Sequence, residues 1–229
     1  SLYCKNFLNA IFYNIKYNAS MKKDFPNKIP IFPLTGVIFF PKTNLPLNIF
    51  EKRYLDLVDD CMKTNKLMGM VQSKKNVNDV YSVGCLGKIS DFKKADDGRV
   101  LINLTGLTRF EIKDEINTSN LYRVFNVKYD KFSQDLNESE NYLKEREINH
   151  LFEKSKNFFK KNGLLLNWLE FNKLDHNQQV NTLAMIAPIS SEEKQKLLET
   201  LTINEKSKIL SEIIEFYLHD KISSRITIQ

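Results

Sequence analysis

Residues 29–58 hold four of the chain's six prolines, Pro30, Pro33, Pro41 and Pro46, and set them among apolar side chains rather than in a solvated linker. Proline has no N–H to give a sheet ladder, so a central strand cannot carry them at this density. The stretch therefore reads as short edge strands and sharp turns packed into a core. From Phe50 the spacing becomes helical. Over 51–65, Tyr54, Leu55, Val58, Cys61 and Met62 recur every three to four residues on one face. That periodicity makes Cys61 a core residue rather than a nucleophile.

The segments that follow, to about Phe132, read as β. Gly84 and Gly87 within 80–89 predict a bend or bulge. Asp96-Asp97-Gly98 predicts the turn of a hairpin over 92–104. Gly106 is expected to break the second strand of that hairpin before 107–112 resumes the sheet. A last strand is expected over 122–129. Beyond Phe132 the pattern becomes helical. A charged amphipathic helix is expected over 137–161, with Leu143, Ile148, Leu151, Phe152 and Phe158 inward and Gly163 as its stop. Asp175 to Gln178, Ser190 to Glu193 and Thr202 to Glu205 have capping-box spacing. Ile209, Leu210, Ile213, Ile214 and Tyr217 form the stripe of a final helix. The expected fold class is α+β: a β-rich subdomain over 29–132, then a helical subdomain over 133–229. Residues 1–28 are an extension expected to be weakly ordered. Its apolar 7–13 stretch and Ala19-Ser20 trace a faint signal-peptide outline, which Asn9 interrupts, and Met21 makes a reasonable native start.

Composition narrows the function. The net charge is +6, yet arginine occurs only at Arg53, Arg99, Arg109, Arg123, Arg146 and Arg225. Arginine is the side chain that forks phosphates and reads bases, so this lysine-rich balance argues weakly for nucleic acid. Cys4, Cys61 and Cys85 form no CxxC pair, which points to a reducing, cytoplasmic compartment and away from a zinc site or disulfide framework. No apolar run approaches the length of a membrane span. His150, His176 and His219 are scattered, without ligand spacing. Gly36, Pro41, Lys42 and Thr43 have Walker A spacing, but Pro41 removes a phosphate-facing N–H and Ile38, Phe39 and Phe40 crowd the loop. No catalytic residue, cofactor site or metal site is expected. The remaining class is binding. Adjacent Phe39 and Phe40 face opposite sides of an extended segment. Either the backbone kinks at Pro41 and both are core, or one stays partly exposed. With Leu45 they form the candidate polypeptide-binding rim.

Taken together, Pro30-Ile31-Phe32-Pro33-Leu34, the Val37 to Pro41 run and Leu45-Pro46-Leu47-Asn48-Ile49-Phe50-Glu51-Lys52-Arg53-Tyr54 resemble the opening signature of the Lon protease N-terminal domain. Weaker matches follow in order at 84–89, 97–99, 106–110 and 192–199. The resemblance implies a PUA-like, barrel-like unit with one helix, followed by a helical bundle. In that family the region helps recognise protein substrates, ahead of an ATPase and a Ser–Lys peptidase module. With 229 residues there is no room for either module. The expectation is a stand-alone, non-enzymatic protein. It would bind unfolded or apolar polypeptide, or act as an adaptor to a protease or chaperone in protein quality control. RNA binding is the alternative that a PUA-like fold leaves open. Pro33, Pro41, Pro46, Glu51, Arg53 and Tyr54 are expected to define the fold, with Arg53 and Glu51 fastening the helix start to the preceding turn.

Overall fold

The computed structural model describes residues 25–74, 79–136 and 145–226. The bulk of the expected extension and the first residues of the expected 137–161 helix, with Leu143, lie outside these. The chain divides into two compact units after residue 138.

The first unit is built from β1 (Lys28–Leu34), β2 (Asn44–Ile49), helix α1 (Lys52–Lys63), β3 (Leu67–Gln72), β4 (Val83–Lys94), β5 (Val100–Ile116), β6 (Arg123–Lys128) and a 3-10 segment (Asp130–Leu136). The strand order is β2-β5-β4-β3-β1-β6, and β6 pairs back onto β5, so five strands close a barrel and β2 is left with a free edge. Only β1 and β3 run parallel. β1 is thus an interior strand, not the edge strand its prolines predict. Stagger explains the difference. Residues 28–31 of β1 pair with β6 and residues 31–34 pair with β3. Pro30 and Pro33 therefore each lie against one partner, and, three residues apart, they turn their ring nitrogens to opposite flanks. Each missing N–H can then face the flank that has no ladder. Pro46 lies in β2 itself, where an edge tolerates it.

β5 runs unbroken for 17 residues through Gly106, where an interruption is expected from sequence. The glycine is there for contact. The turn around Phe40–Thr43 presses on β5: Lys42 N donates to Gly106 O and Gly106 N to Thr43 O, both at 2.9 Å, and Thr43 Oγ1 caps Phe40 O at 2.7 Å. A Cβ at 106 would collide with the Phe40 carbonyl oxygen. The bend is supplied instead by bulges. Leu86 pairs with Thr108 but Gly87 with Gly106, so Leu107 is an extra residue, and Ser90 is extra in β4.

Two cores result. Ile29, Ile31, Val71, Leu86, Leu107, Phe110, Phe125 and Val127 fill one cluster. Gly69 and Gly84 make room there for Phe110, whose Cζ would lie 2.9 and 2.7 Å from added Cβ atoms. The second cluster joins Leu45, Ile49, Val100, Ile102 and Leu104 to Tyr54, Leu57, Val58 and Cys61 of α1. Each such burial stabilises the fold by about 1.5–3 kcal/mol before conformational entropy is subtracted. The 3-10 segment is tied to β5 by Arg109. Its Nη2 lies 2.7 Å from Asp135 Oδ1, its Nε and backbone N donate to Asp135 Oδ2 at 2.9 Å, and its guanidinium lies 4.3 Å from the Phe132 ring centroid.

The second unit is helical: α2 (Glu145–Lys161), α3 (Trp168–Phe171), α4 (His176–Ile186), α5 (Ser191–Glu199) and α6 (Ile203–Ile226). Its boundaries follow from capping. Asp175 and Ser190 each make a full capping box, and the Thr202 hydroxyl accepts from Glu205 N at 3.2 Å. Gly163 takes a φ of 69° just past α2. Ile148, Leu151, Phe158, Leu210 and Ile214 are buried, as the two helical stripes require. The α+β reading, a barrel with one long helix followed by a helical unit, holds.

Three substitutions test these contacts. Gly106→Ala should destabilise the barrel unit by about 2 kcal/mol through overpacking, read as a lower urea midpoint with an unchanged slope. Asp135→Ala removes the carboxylate that holds the buried Arg109 guanidinium and should cost about 3–5 kcal/mol, whereas removing the exposed Arg99–Asp97 pair by Asp97→Ala should change stability by less than about 1 kcal/mol.

Candidate functional site

The predicted rim is not on the surface. Phe39, Phe40 and Leu45 are 2%, 0% and 1% exposed. The chain kinks after Phe40 into the turn that docks on Gly106. Phe39 and Leu45 join the core under α1, and Phe40 is enclosed beside β5. Pro41 is buried in the same turn. The Walker-like spacing there is likewise consumed by packing, since Lys42 N is already bonded to β5.

The residues of the motif around α1 are engaged in local contacts. The Glu51 backbone oxygen accepts from Tyr54 N and Leu55 N, at 2.9 and 3.0 Å, and starts the helix. Arg53 bridges Glu51 at 2.9 Å across the surface and lies 4.5 Å from the Tyr54 ring centroid. Tyr54 in turn packs on Phe32, centroid to centroid 4.1 Å. The loop after β5 is pinned to α1 by Tyr122, whose hydroxyl donates to Asp60 Oδ2 at 2.9 Å. Burial and that acidic partner hold the phenol above its ordinary range.

Cys61 and Cys85 are buried and free, and burial pushes the Cys61 thiol up to about 12. Among the described residues no three His, Cys, Asp or Glu side chains converge on a point where a metal could bind. All four arginines of the barrel unit are engaged by carboxylates: Arg53 by Glu51, Arg99 by Asp97, Arg109 by Asp135 and Arg123 by Glu115.

What the surface does offer is apolar. In the barrel unit Phe50 and Leu121 are 66% and 63% exposed, singly. In the helical unit Leu165 and Leu169 reach 78% and 79%, within one turn of chain. Local structure sets this turn. Asn167 caps α3, accepting from Glu170 N at 3.3 Å. Leu166 and Phe171 flank that cap at the two positions of a hydrophobic staple, and both are buried. With those two turned inward, Leu165 and Leu169 are left facing solvent. Between them Trp168, half-buried, meets Phe171 edge-on at 5.2 Å and Phe159 at 6.2 Å. Lys156 Nζ stands 5.6 Å from the centroid of the Trp168 ring. Sequence periodicity misses this patch, because 163–171 has neither helical nor strand spacing. Its only sequence signal is an apolar run that no period assigns to a face.

A profile of the ATP-dependent protease La (LON) substrate-binding domain matches residues 28–215. The chain belongs to the Lon substrate-binding domain family. It is 26% identical over 231 residues to the Lon protease of Desulfosudis oleivorans, covering 92% of this chain and 27% of that protein. It is 28% identical over 195 residues to the Lon protease of Buchnera aphidicola subsp. Baizongia pistaciae, covering 82% and 25%. The chain thus spans about a quarter of the length of these relatives. The fold is that of a Lon N-terminal domain protein from Xanthomonas campestris, with TM-score 0.60, 23% identity, and coverage of 80% of this chain and 96% of that one. The N-terminal domain of Mycobacterium avium complex Lon protease also matches at TM-score 0.60, with 15% identity. Among the described residues no helix is long and apolar enough to cross a membrane.

Core and surface phenotypes should separate cleanly. Phe39→Ala should cost about 3–5 kcal/mol as a core cavity, while Leu165→Asp or Leu169→Asp should shift stability by no more than about 0.5 kcal/mol in the same urea titration. Cys61 and Cys85 should resist iodoacetamide at pH 8 in the native protein and label in urea, as followed by peptide mass mapping.

Proposed function

We propose that this Lon substrate-binding domain is a non-catalytic polypeptide-binding module. It captures unfolded or apolar segments of client proteins for proteolysis-linked quality control, directly or as an adaptor to a protease or chaperone. The family match over 28–215 carries this reading. It is supported by two features of the molecule: Cys61 and Cys85 are buried, and large apolar side chains stand on the surface of a capped turn. The nucleic-acid alternative has no comparable support, because every arginine of the barrel unit is already held by a carboxylate. Clients that must order on binding lose chain entropy, so the expected affinity is modest.

The test is fluorescence anisotropy with labelled, reduced and carboxymethylated α-lactalbumin as an unfolded client. Saturable binding in the micromolar range is expected, with little binding to the native, disulfide-intact form. Equal signals for both forms, or none for either, would sink the proposal.

A further inference from the structure

Resting on that reading, we infer that the turn bearing Leu165, Trp168 and Leu169 is a polypeptide-contact patch, and that its occupant is an apolar segment flanked by acidic residues. Three observations converge on it. First, Leu165 and Leu169 are more exposed than any other large apolar side chain described, and they fall within five residues of each other. Scattered exposed leucines are ordinary; here a pair of them brackets a tryptophan, a residue type enriched in binding hot spots. Second, the turn is already rigid. Asn167 caps it, Phe171 anchors it at 0% exposure, and Trp168 is braced by Phe159 and Phe171. A braced indole presents its free surface with little side-chain entropy left to lose.

Third, the surround is basic. Between residues 153 and 173 stand Lys154, Lys156, Lys160, Lys161 and Lys173 against Glu153 and Glu170 alone. Lys156 and Lys173 are bridged to Glu153 and Glu170, at 2.7 and 2.6 Å, and Lys154 to Glu215 at 2.6 Å, so the basic excess around the turn rests on Lys160 and Lys161. Lys156 reaches over the indole, and Lys160 follows it one helical turn on. An acidic flank on the occupant meets this field favourably and a basic flank is repelled. A polypeptide fits better than a membrane surface. The apolar side chains of α2, including Ile148, Leu151, Phe158 and Phe159, are spent inside the unit, so no continuous apolar helix face remains for insertion.

Trp168 is the only tryptophan of the chain, so its emission reports on this patch alone. Two matched peptides without tryptophan, sharing one apolar centre and flanked by either Glu or Lys, are titrated into the full chain. The Glu-flanked peptide is expected to shift Trp168 emission to shorter wavelength and saturate, and the Lys-flanked peptide to bind about tenfold more weakly. Leu165→Asp with Leu169→Asp should weaken the Glu-flanked peptide by about tenfold or more with an unchanged circular dichroism spectrum. Lys156→Glu with Lys160→Glu should invert the flank preference.

The outcomes separate the two levels of the proposal. If carboxymethylated α-lactalbumin binds the leucine variant as tightly as the unchanged chain and the tryptophan-free peptides leave Trp168 emission unchanged, the patch is wrong and the polypeptide-binding reading stands. If no client binds, both fall. A flank preference that survives the lysine substitutions removes the acidic occupant. A Trp168 shift with phosphatidylglycerol vesicles but not with peptides assigns the turn to a membrane surface. Self-association abolished by the leucine substitutions assigns it to a second copy of the chain. Either result overturns the inference.

Discussion

One strand holds the barrel unit together. The first half of β5 pairs with β2 and the outer part of β4, and its second half pairs with the inner part of β4 and with β6. Closure of the barrel and attachment of the edge strand therefore depend on the same 17 residues. A strand serving both must bend, and it does so by carrying an extra residue at Leu107. The bulge also redistributes side chains: Val100, Ile102 and Leu104 feed the core under α1, while Leu107 and Phe110 feed the other cluster. Gly106 stands between these sets with its backbone against the Phe40 turn. The proline-rich entry segment and the middle of the sheet are consequently one packing problem. Neither can shift without the other.

Electrostatics in this unit serve the fold. Arg109 is nearly inaccessible and held by several bonds to Asp135, with Phe132 beneath its guanidinium. Such a pair contributes less net stability than its short distances suggest, because both charges were taken out of water. Loss of the carboxylate is costly all the same, since the buried guanidinium would keep its desolvation cost without that counter-charge. The other barrel arginines form local surface pairs of small energetic weight. A positive net charge in this chain thus reports a lysine-rich surface rather than an array of guanidinium forks.

The helical unit shows how an exposed apolar site can arise without weakening the fold. Helix ends are defined by full capping boxes at Asp175 and Ser190, and the interior is filled by α2, α4 and α6. That leaves the connection between α2 and α4 free to carry side chains the core does not need. Its staple residues, Leu166 and Phe171, are enough to hold it in place. Leu165 and Leu169 can then be presented to solvent at no cost to packing.

Much of the fold was legible in the chain because its signals are local. Capping boxes, the Asp96-Asp97-Gly98 turn, the stop at Gly163 and the three-to-four spacing of α1 each act over a few residues, and each appears where expected. The family signature was legible for the same reason, as a contiguous run of prolines and aromatics. Burial of Phe39 and Phe40, the interior position of β1 and the continuity of β5 through Gly106 were not. They depend on partners distant in sequence: the stagger of β6 and β3 on β1, and the approach of the Phe40 turn to β5. Which apolar residues stay outside was decided the same way. The sequence by itself determined the family, the order of a β-rich part before a helical part and the capped helix starts at Asp175 and Ser190, because short-range hydrogen bonds and periodicity set these. Only the tertiary structure decided that the aromatic entry segment is core and that Leu165 and Leu169 are the most exposed of the described large apolar side chains, because burial belongs to the packed chain and not to any local stretch of it.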